Sequence, residues 1–266
     1  MPDGQSVHEL ARFNHPSVWL QGPTRDEAHQ LKFRTIVGMV PPNVHSILDV
    51  GCGDGELTNR LPAAAPLVIA LDRVPTPLRF VTVPRVVGTI GRLPFGDRSF
   101  DLVCCSEVLE HLPDGLYRSG IEELDRVARS WLLLGVPFDE YLPARWARCG
   151  RCGCVFHTSG HLRSFASWKH LAAEFPGWRL WSVLLTGSCD TPGCRWLFRT
   201  RHHLEGMPSN EPLARCPACG GSPALSHSPR RTAVRLLRRL ERFLRPGQQP
   251  QWMVCLLQRR TEPGQS

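Results

Sequence analysis

The feature that most constrains this chain is a glycine-rich turn that follows an apolar stretch. Residues 47–50 read Ile-Leu-Asp-Val, and glycines then alternate at Gly51, Gly53 and Gly55 before a stretch that predicts a helix. A strand that turns sharply into a helix needs glycine where the backbone takes a positive φ or approaches a ligand closely. The stretch therefore predicts a βα unit with a ligand-binding turn, although such turns alone occur in many α/β proteins.

A second apolar stretch ends in an acid, Asp72, 21 residues after Gly51. In a nucleotide-binding βαβ unit, a carboxylate at this place accepts hydrogen bonds from ribose hydroxyls. The turn differs from the Gly-x-Gly-x-x-Gly pattern that faces a pyrophosphate, and Asp49 and Asp54 flank it. Because carboxylates repel phosphate, these residues indicate a ligand that carries an ammonium group and no phosphate.

Three motifs in order carry a resemblance to a known family: DVGCGDG at 49–55, ALD at 70–72 and LPFGDRSFDLVCCSEVLEHLP at 93–113. They resemble class I S-adenosylmethionine-dependent methyltransferases, most closely the type 11 group with a core like that of quinone-biosynthesis methyltransferases, over residues 45–136. The resemblance implies an α/β fold with a doubly wound Rossmann-like sheet and S-adenosyl-L-methionine as cofactor. It implies these cofactor-binding residues: Asp49, Gly51, Gly53, Asp72, Ile90 and Ser106. Members usually carry Asp where Thr89 stands, which leaves the Ile90 backbone to bond the adenine edge.

Length and composition favour one α/β domain with insertions. The chain has 266 residues, a formal net charge of +8 and a pI near 9.2, and arginine supplies nearly all the positive charge. No stretch approaches the ~20 apolar residues of a membrane span, and the first residues lack a basic-then-apolar signal pattern. We therefore expect a cytoplasmic protein whose 11 cysteines are metal ligands or core residues rather than disulfides.

Apolar runs and helical periodicity predict the elements of the sheet. Strands are predicted at 46–50, 67–71, 86–87, 99–106, 131–136, 178–186 and 252–257, and the resemblance makes the last one antiparallel. Helices are predicted from a capping box at Thr24–Glu27 to about Met39, and at 55–61, 116–129, 164–175 and 230–245. Ser164 is predicted to cap the fourth of these helices. Cys104 and Cys105 lie within an apolar run and are predicted core residues.

Two Cys-x-x-Cys-Gly knuckles interrupt the pattern after the fifth and sixth strands. Cys149 and Cys152 form the first knuckle, and Cys216 and Cys219 form the second. Such knuckles direct two thiolates at one tetrahedral ion, so the four cysteines predict a single Zn²⁺ site. A redox Cys-x-x-Cys is the rival interpretation, but that motif belongs at a βα junction and occurs once.

Other residues near the knuckles leave a second metal site open. Cys154, His157 and His161 follow the first knuckle, and the spacing from Cys149 to His161 is similar to that of a zinc finger. Cys189 and Cys194 precede the second knuckle.

These observations predict one methyltransferase domain over residues 1–266. Its core comprises 24–137, 162–188 and 250–260. Zinc-binding insertions after strands 5 and 6, at 138–161 and 189–228, form a zinc-stapled lid. His111, at the end of the fourth strand, is a candidate general base or a structural histidine. His161, beside the first knuckle, is a second catalytic candidate, which contacts either the substrate or the knuckle. Arg163 and His161 are both expected to point near the mouth of the pocket.

A basic amphipathic helix is predicted at 230–245. Its apolar stripe comprises Ala233, Leu236, Leu237, Leu240, Phe243 and Leu244, and its basic face comprises Arg231, Arg235, Arg238, Arg239, Arg242 and Arg245. Such a helix either packs with a solvated basic face or contacts an anionic membrane surface or RNA.

Three functions are compatible with the sequence. The first is methyl transfer to a heteroatom of a small or sugar-bearing metabolite, so that the partner is a small-molecule or glycosylated substrate. The second is methylation of rRNA or tRNA, which zinc, arginine content and the basic helix favour. The third is a non-catalytic zinc-containing adaptor with a methyltransferase fold, which the intact glycine turn and Asp72 disfavour.

Overall fold

The computed structural model describes residues 27–190, 192, 194–209, 211, 214–225, 231–244 and 248–260. Its strands are β1 (Ser46–Val50), β2 (Leu67–Asp72), β3 (Arg85–Val87), β4 (Phe100–Ser106), β5 (Ala128–Pro137), β6 (Trp146–Arg148), β7 (Val155–His157), β8 (Trp178–Thr186) and β9 (Trp252–Arg259). Its α-helices are α1 (Glu27–Gly38), α2 (Pro75–Leu78), α3 (Asp114–Val127), α4 (Trp168–Ala173), α5 (Arg195–Leu204) and α6 (Arg231–Phe243). Short 3-10 helices span Thr58–Ala63, Leu109–His111 and Leu142–Arg145.

Seven strands form one sheet in the order β3-β2-β1-β4-β5-β9-β8. The first five are mutually parallel, and β9 runs antiparallel between β5 and β8. A parallel strand covered on both faces reads as a continuous apolar run, and β4 and the second half of β5 are accordingly buried. The predicted α/β sheet with an antiparallel last strand is confirmed.

Two apolar clusters cover the two faces of the sheet. One face packs against α3 and α4, with Leu124 fully buried, and the other packs against α1, with Ile36 fully buried. Successive strand side chains point to opposite faces, so Cys105 joins the first cluster and Cys104 the second. Both thiols are buried, as predicted for core residues.

Two predicted helices are wrong in type or extent. In place of an α-helix at 55–61, a 3-10 helix spans Thr58–Ala63 and contains Pro62, which cannot donate a backbone hydrogen bond and suits a short, tight turn. The helix predicted at 164–175 is the shorter α4, and Ser167 rather than Ser164 caps it by accepting from the Lys169 amide. Thr24, the predicted cap of the first helix, lies outside the described residues.

The reason for the late start of α4 is that the preceding segment bonds to its neighbours instead of coiling. The Leu162 amide donates to the Glu110 carbonyl at 2.7 Å, and Phe165 forms a parallel β-bridge with Phe138. Extended backbone there holds residues 162–165 against the end of the sheet.

The two insertions form one module at the edge of the sheet where the parallel strands end. β6 and β7 pair as an antiparallel hairpin, and Ala147, Phe156, Ala214 and Cys216 share a small core. The Ala224 amide of the second insertion donates to the Arg148 carbonyl of the first at 2.7 Å. Among the described residues, no helix is both long and apolar enough to cross a bilayer.

Candidate active site and metal centre

The turn after β1 has the backbone conformation that its glycines predict. The φ angles are +75°, +54° and +77° at Gly51, Gly53 and Gly55. A side chain at Gly51 would also collide with Val108. Asp72, at the end of β2, holds the turn, because its Oδ2 accepts from the Gly53 amide at 2.9 Å and its Oδ1 from the Val74 amide at 2.8 Å.

A cleft of about 780 Å³, open to solvent, lies beside Asp72. Its walls are mainly apolar and come from Leu71, Val74, Ile90, Val108, Leu112 and Leu116. The predicted residues Gly51, Gly53, Asp72 and Ile90 all line it, as do Thr89 and His111. Apolar walls beside the Asp72 carboxylate suit a flat ring joined to a hydroxylated sugar.

A second cleft of about 580 Å³ lies on the other side of the turn and shares Gly51, Gly53 and Glu107 with the first. Its lining is polar and acidic, with carboxylates from Asp49, Asp54, Glu56 and Glu107. Such a lining attracts a cationic group and repels phosphate. The glycine turn therefore separates an apolar cleft from an acidic one.

Lys32 on α1 provides a buried positive charge in this acidic cleft. Only 1% of Lys32 is exposed, and its Nζ lies 3.5 Å from Oε2 of Glu107 and 4.4 Å from the ring centroid of Trp252. The Trp252 indole also donates to the same Glu107 oxygen at 2.8 Å. A buried ammonium with a carboxylate and an aromatic face beside it is well placed to meet a ligand carboxylate.

Asp49 and Ser106 line the acidic cleft from β1 and β4. The Thr58 hydroxyl donates to Oδ2 of Asp49 at 2.5 Å, and burial raises the pKa of Asp49 to about 6. The Ser106 Oγ is buried and has no hydrogen-bond partner among the described residues. Gly135 on β5 makes room for it, because a Cβ there would lie 2.5 Å from Ser106 Oγ.

Three histidines, His111, His157 and His161, lie close together at the mouth of the apolar cleft. The His111 and His161 ring centroids lie 4.7 Å apart, and those of His157 and His161 lie 4.9 Å apart in a stacked arrangement. His161 Nδ1 hydrogen-bonds to Oε2 of Glu140, and His157 Nε2 lies 3.5 Å from the other oxygen. Burial raises the pKa of Glu140, but the hydrogen bonds from His157 and His161 outweigh it and lower the pKa to about 2.

The hydrogen bonds assign ring protons to these histidines. His157 Nδ1 accepts from the His161 amide at 3.1 Å, which places a neutral His157's proton on Nε2, toward Glu140. A neutral His161 that donates from Nδ1 to the ionised Glu140 has its lone pair on Nε2. A carboxylate that holds one ring nitrogen of a histidine orients the other as a proton acceptor.

Glu110 adds a buried carboxyl group to this cluster. It is fully buried and neither oxygen has a hydrogen-bond partner among the described residues, so burial, together with the charge of Glu107, raises its pKa well above the ordinary value. One ligand atom from each of Glu110, His111 and His161 lies within 4.8 Å of the others, and the same holds for Glu140, His157 and His161. Both sets have the donor chemistry of a divalent-metal site.

The structure brings together the four cysteines of the two knuckles. Their sulfur atoms lie within 4.8 Å of one another, with 3.6 Å between Cys149 and Cys219 and 3.6 Å between Cys152 and Cys216. Four sulfurs around a tetrahedral zinc ion are about 3.8 Å apart, given a Zn–S bond of ~2.3 Å. Burial raises the pKa of Cys149, but backbone hydrogen bonds from Cys152 and Arg151 outweigh it and lower the pKa to about 6.

The other candidate residues lie apart from this sulfur cluster. His157 and His161 contact Glu140 instead. The Cys154 thiol contacts the carbonyl of the next residue. Cys189 pairs with Gln249 in a β-bridge, and Cys194 precedes α5. Arg163 donates to the carbonyls of Leu109 and Leu112, so it supports the His111 segment rather than facing the cleft.

Sequence reasoning missed Lys32, Glu107, Glu110 and Glu140 as site residues. The sequence signal for Lys32 was its rarity, because the chain has only two lysines. Glu107 and Glu110 lie within the motif at 93–113, but only packing shows that they are close to a buried lysine and to histidines. Glu140 has no distinctive spacing in the sequence.

Residues 48–130 match a family model described as a methyltransferase domain. An uncharacterized methyltransferase from Synechocystis sp. is 30% identical over 123 residues, which are 44% of this chain and 56% of that protein. The ubiquinone biosynthesis O-methyltransferase of Albidiferax ferrireducens is 29% identical over 122 residues, or 40% of this chain and 48% of that protein. The chain thus covers about half the length of these curated relatives.

A likeness in fold extends beyond the matched segment. The N-methyltransferase NodS from Bradyrhizobium japonicum WM9, solved with S-adenosyl-L-homocysteine, is similar with a TM-score of 0.52 and 12% identity over 94% of this chain and 99% of that one. This likeness shows that the chain has the same α/β fold as NodS. Within that fold, residues 48–130 are similar to a methyltransferase domain.

Proposed function

We propose that this chain transfers a methyl group from S-adenosyl-L-methionine to a heteroatom of a small or sugar-bearing metabolite. The observation that carries the proposal is the pair of clefts that meet at the turn of Gly51 and Gly53. An apolar cleft with Asp72 suits the nucleoside, and an acidic cleft that also contains Lys32 suits the amino-acid end.

The residues present fit this cofactor. The orphaned Ser106 hydroxyl and the carboxylates of Asp49 and Glu107 are suited to its ammonium group, and the buried Lys32 ammonium to its carboxylate. Asp72 can accept from ribose hydroxyls while its backbone hydrogen bonds keep it oriented. Support also comes from the relatives, since NodS was solved with the demethylated form of this cofactor.

When bound, S-adenosyl-L-methionine supplies an activated methyl group that a heteroatom attacks in line, so the chain's own task is alignment and exclusion of water. His161, oriented by Glu140, is proposed to accept the proton from the acceptor heteroatom at Nε2. His111 lines the cleft beside it and is proposed to align the acceptor. General base catalysis of this kind contributes about 10²- to 10⁴-fold.

We propose further that Cys149, Cys152, Cys216 and Cys219 bind one Zn²⁺, which staples the insertions into a lid. The sulfur spacing supports this assignment, and so do the glycines that close each knuckle, with φ of +75° at Gly153 and +70° at Gly220. The ion's proposed role is structural, because four thiolates leave no open position for substrate.

The acceptor class is proposed from the position of the module, whose His161 lies beside His111 at the apolar cleft, and from one relative named for ubiquinone biosynthesis. The test is methyl transfer from labelled cofactor into a cell extract that has been separated by molecular weight and treated with nuclease. Label in the low-molecular-weight fraction, absent with an Asp72→Asn variant, is the expected result. Label only in RNA favours the RNA methyltransferase, and cofactor binding without transfer to any fraction favours the adaptor.

A further inference from the structure

The helix α6 is held in a fixed orientation by buried ion pairs with α5. The Glu205 side chain is only 3% exposed and lies 2.7 Å from the Arg238 guanidinium. Arg201 on α5 donates to Glu241 at 2.8 Å and also pairs with Glu205. Val234, 6% exposed, packs on the same side. Rotation of the helix about its axis would break both ion pairs between the two helices, Arg238 with Glu205 and Arg201 with Glu241, and removing one partner of a buried carboxylate is unfavourable.

This anchoring leaves the apolar stripe of α6 outside the protein core. The exposed fractions are 59%, 44%, 88% and 49% for Leu236, Leu240, Phe243 and Leu244. At 100° per residue these four side chains share one face of the helix and its end. The sequence pattern suggests an apolar face that packs and a basic face that is solvated. In the structure a mixed face packs instead, and the apolar face is exposed.

Positive charge borders this exposed stripe. Arg235 and Arg239 are exposed and follow the edge of the stripe at helical spacing, and Glu241, the one acid of α6, is bound by Arg201. The chain as a whole carries a formal charge of +8. An apolar stripe with arginines along its edge is the pattern of a helix that lies in a membrane interface.

We infer that α6 docks on an anionic lipid bilayer, with Leu236, Leu240, Phe243 and Leu244 in the acyl boundary and Arg235 and Arg239 at the headgroups. Charge complementarity selects this occupant over a second copy of the chain. Two copies packed stripe to stripe bring their arginine edges together, and like charges repel. The inference does not depend on the proposed methyl transfer.

The docking helix connects physically to the candidate active site. Arg195 at the start of α5 binds Asp139 at 2.8 Å, and its carbonyl accepts from the Tyr141 hydroxyl at 3.2 Å. These residues flank Glu140, which orients His161. A bilayer that holds α6 therefore also holds the module beside the cleft, which is suited to an acceptor presented at a membrane surface.

The test is co-sedimentation of the full chain with vesicles of phosphatidylcholine alone or with about a third phosphatidylglycerol. We expect binding to the anionic vesicles only, lowered by salt. Arg235→Gln with Arg239→Gln should weaken it about tenfold or more, since each basic residue near an anionic surface contributes about fivefold. The matched charge control is Arg34→Gln with Arg118→Gln, which removes two exposed arginines elsewhere and should bind as the unchanged chain does.

Leu240→Ser with Phe243→Ser should abolish vesicle binding, whereas Leu184→Ser with Leu185→Ser, exposed on β8, should not. Equal binding to neutral and anionic vesicles, or no effect of the α6 variants, overturns the inference. So does dimerisation without vesicles that Phe243→Ser abolishes, which assigns the stripe to a second copy. RNA binding that depends on the arginines but not on the apolar side chains also overturns it. If Leu240→Ser with Phe243→Ser does not fold, the vesicle binding of Arg235→Gln with Arg239→Gln tests the inference.

Discussion

Glu140 and His161 are hydrogen-bonded to each other although the first cysteine knuckle separates them along the chain. Glu140 follows the end of β5, whereas His161 follows the hairpin of β6 and β7, which the knuckle closes. The paired hairpin brings the two residues together. This relationship joins the proposed zinc site to the proposed proton acceptor.

His161→Ala should lower kcat by about 10² or more while the Kd for S-adenosyl-L-methionine stays unchanged, because the proposed role of His161 is proton transfer. Glu140→Gln keeps a hydrogen-bond acceptor but removes the charge and should lower kcat by a smaller factor, about tenfold. The matched control is His170→Ala, which removes an exposed histidine on α4. Steady-state kinetics and calorimetry check the two quantities separately, and an unchanged kcat in both variants contradicts the role.

Gly51→Ala and Asp72→Asn should each weaken cofactor binding by more than about tenfold, or ~1.4 kcal/mol. The alanine methyl collides with Val108 at a residue whose φ is +75°, and the asparagine loses the charge that orders the turn and accepts from ribose. Gly96→Ala is the matched control, since nothing lies within 4 Å of its added methyl. Calorimetry measures the affinities. If Gly51→Ala, Asp72→Asn and Gly96→Ala all bind the cofactor with the same affinity, this site is ruled out.

Protein purified without added metal should contain about one Zn²⁺ per chain, and Cys149→Ser or Cys219→Ser should lose it. Because ligation is coupled to folding of the loops, loss of zinc should lower kcat more than cofactor affinity. Cys154→Ser is the matched control, as its sulfur lies outside the four-cysteine cluster. Metal analysis decides. Full zinc in Cys219→Ser with loss in His157→Ala indicates the finger-like site instead.

Asp49 should make the fold less stable as pH rises. Burial raises its pKa from 3.8 to about 6, so the folded state favours the protonated form. The contribution is fully present below about pH 4 and is lost as pH rises through about 6, with an upper bound of ~3 kcal/mol at 1.36 kcal/mol per pKa unit.

Urea unfolding of the ligand-free chain between pH 4 and pH 7 measures this effect. The free energy of unfolding should fall over that window relative to an Asp49→Asn variant, which cannot ionise. Asp190→Asn, at an exposed position, should follow the unchanged chain at every pH. A constant difference between the unchanged chain and Asp49→Asn contradicts the raised pKa.

Local patterns in the sequence determined much of the sheet. Strands at 46–50 and 178–186 are found at their predicted bounds, because apolar runs bounded by turn residues specify strands over a few positions. The positive φ at Gly51 and Gly53 follows from the same local constraint, since only glycine takes that conformation without strain. The spacing within each cysteine knuckle is local too, so the sequence alone indicated two pairs of candidate metal ligands.

Tertiary structure alone decided which distant residues meet. Lys32 is buried against Glu107, and Glu140 contacts His161. Both contacts join segments that are distant along the chain, and nothing in the sequence indicates that they meet. Packing also buries the Glu110 carboxyl, which has no hydrogen-bond partner among the described residues. The sequence also did not determine which face of α6 is exposed. Helical periodicity shows that one face is apolar, but the buried Glu205 carboxylate, which attracts Arg238, determines which face turns inward. In the structure the ion pairs of Glu205 with Arg238 and of Arg201 with Glu241 face α5, and the four apolar side chains are exposed.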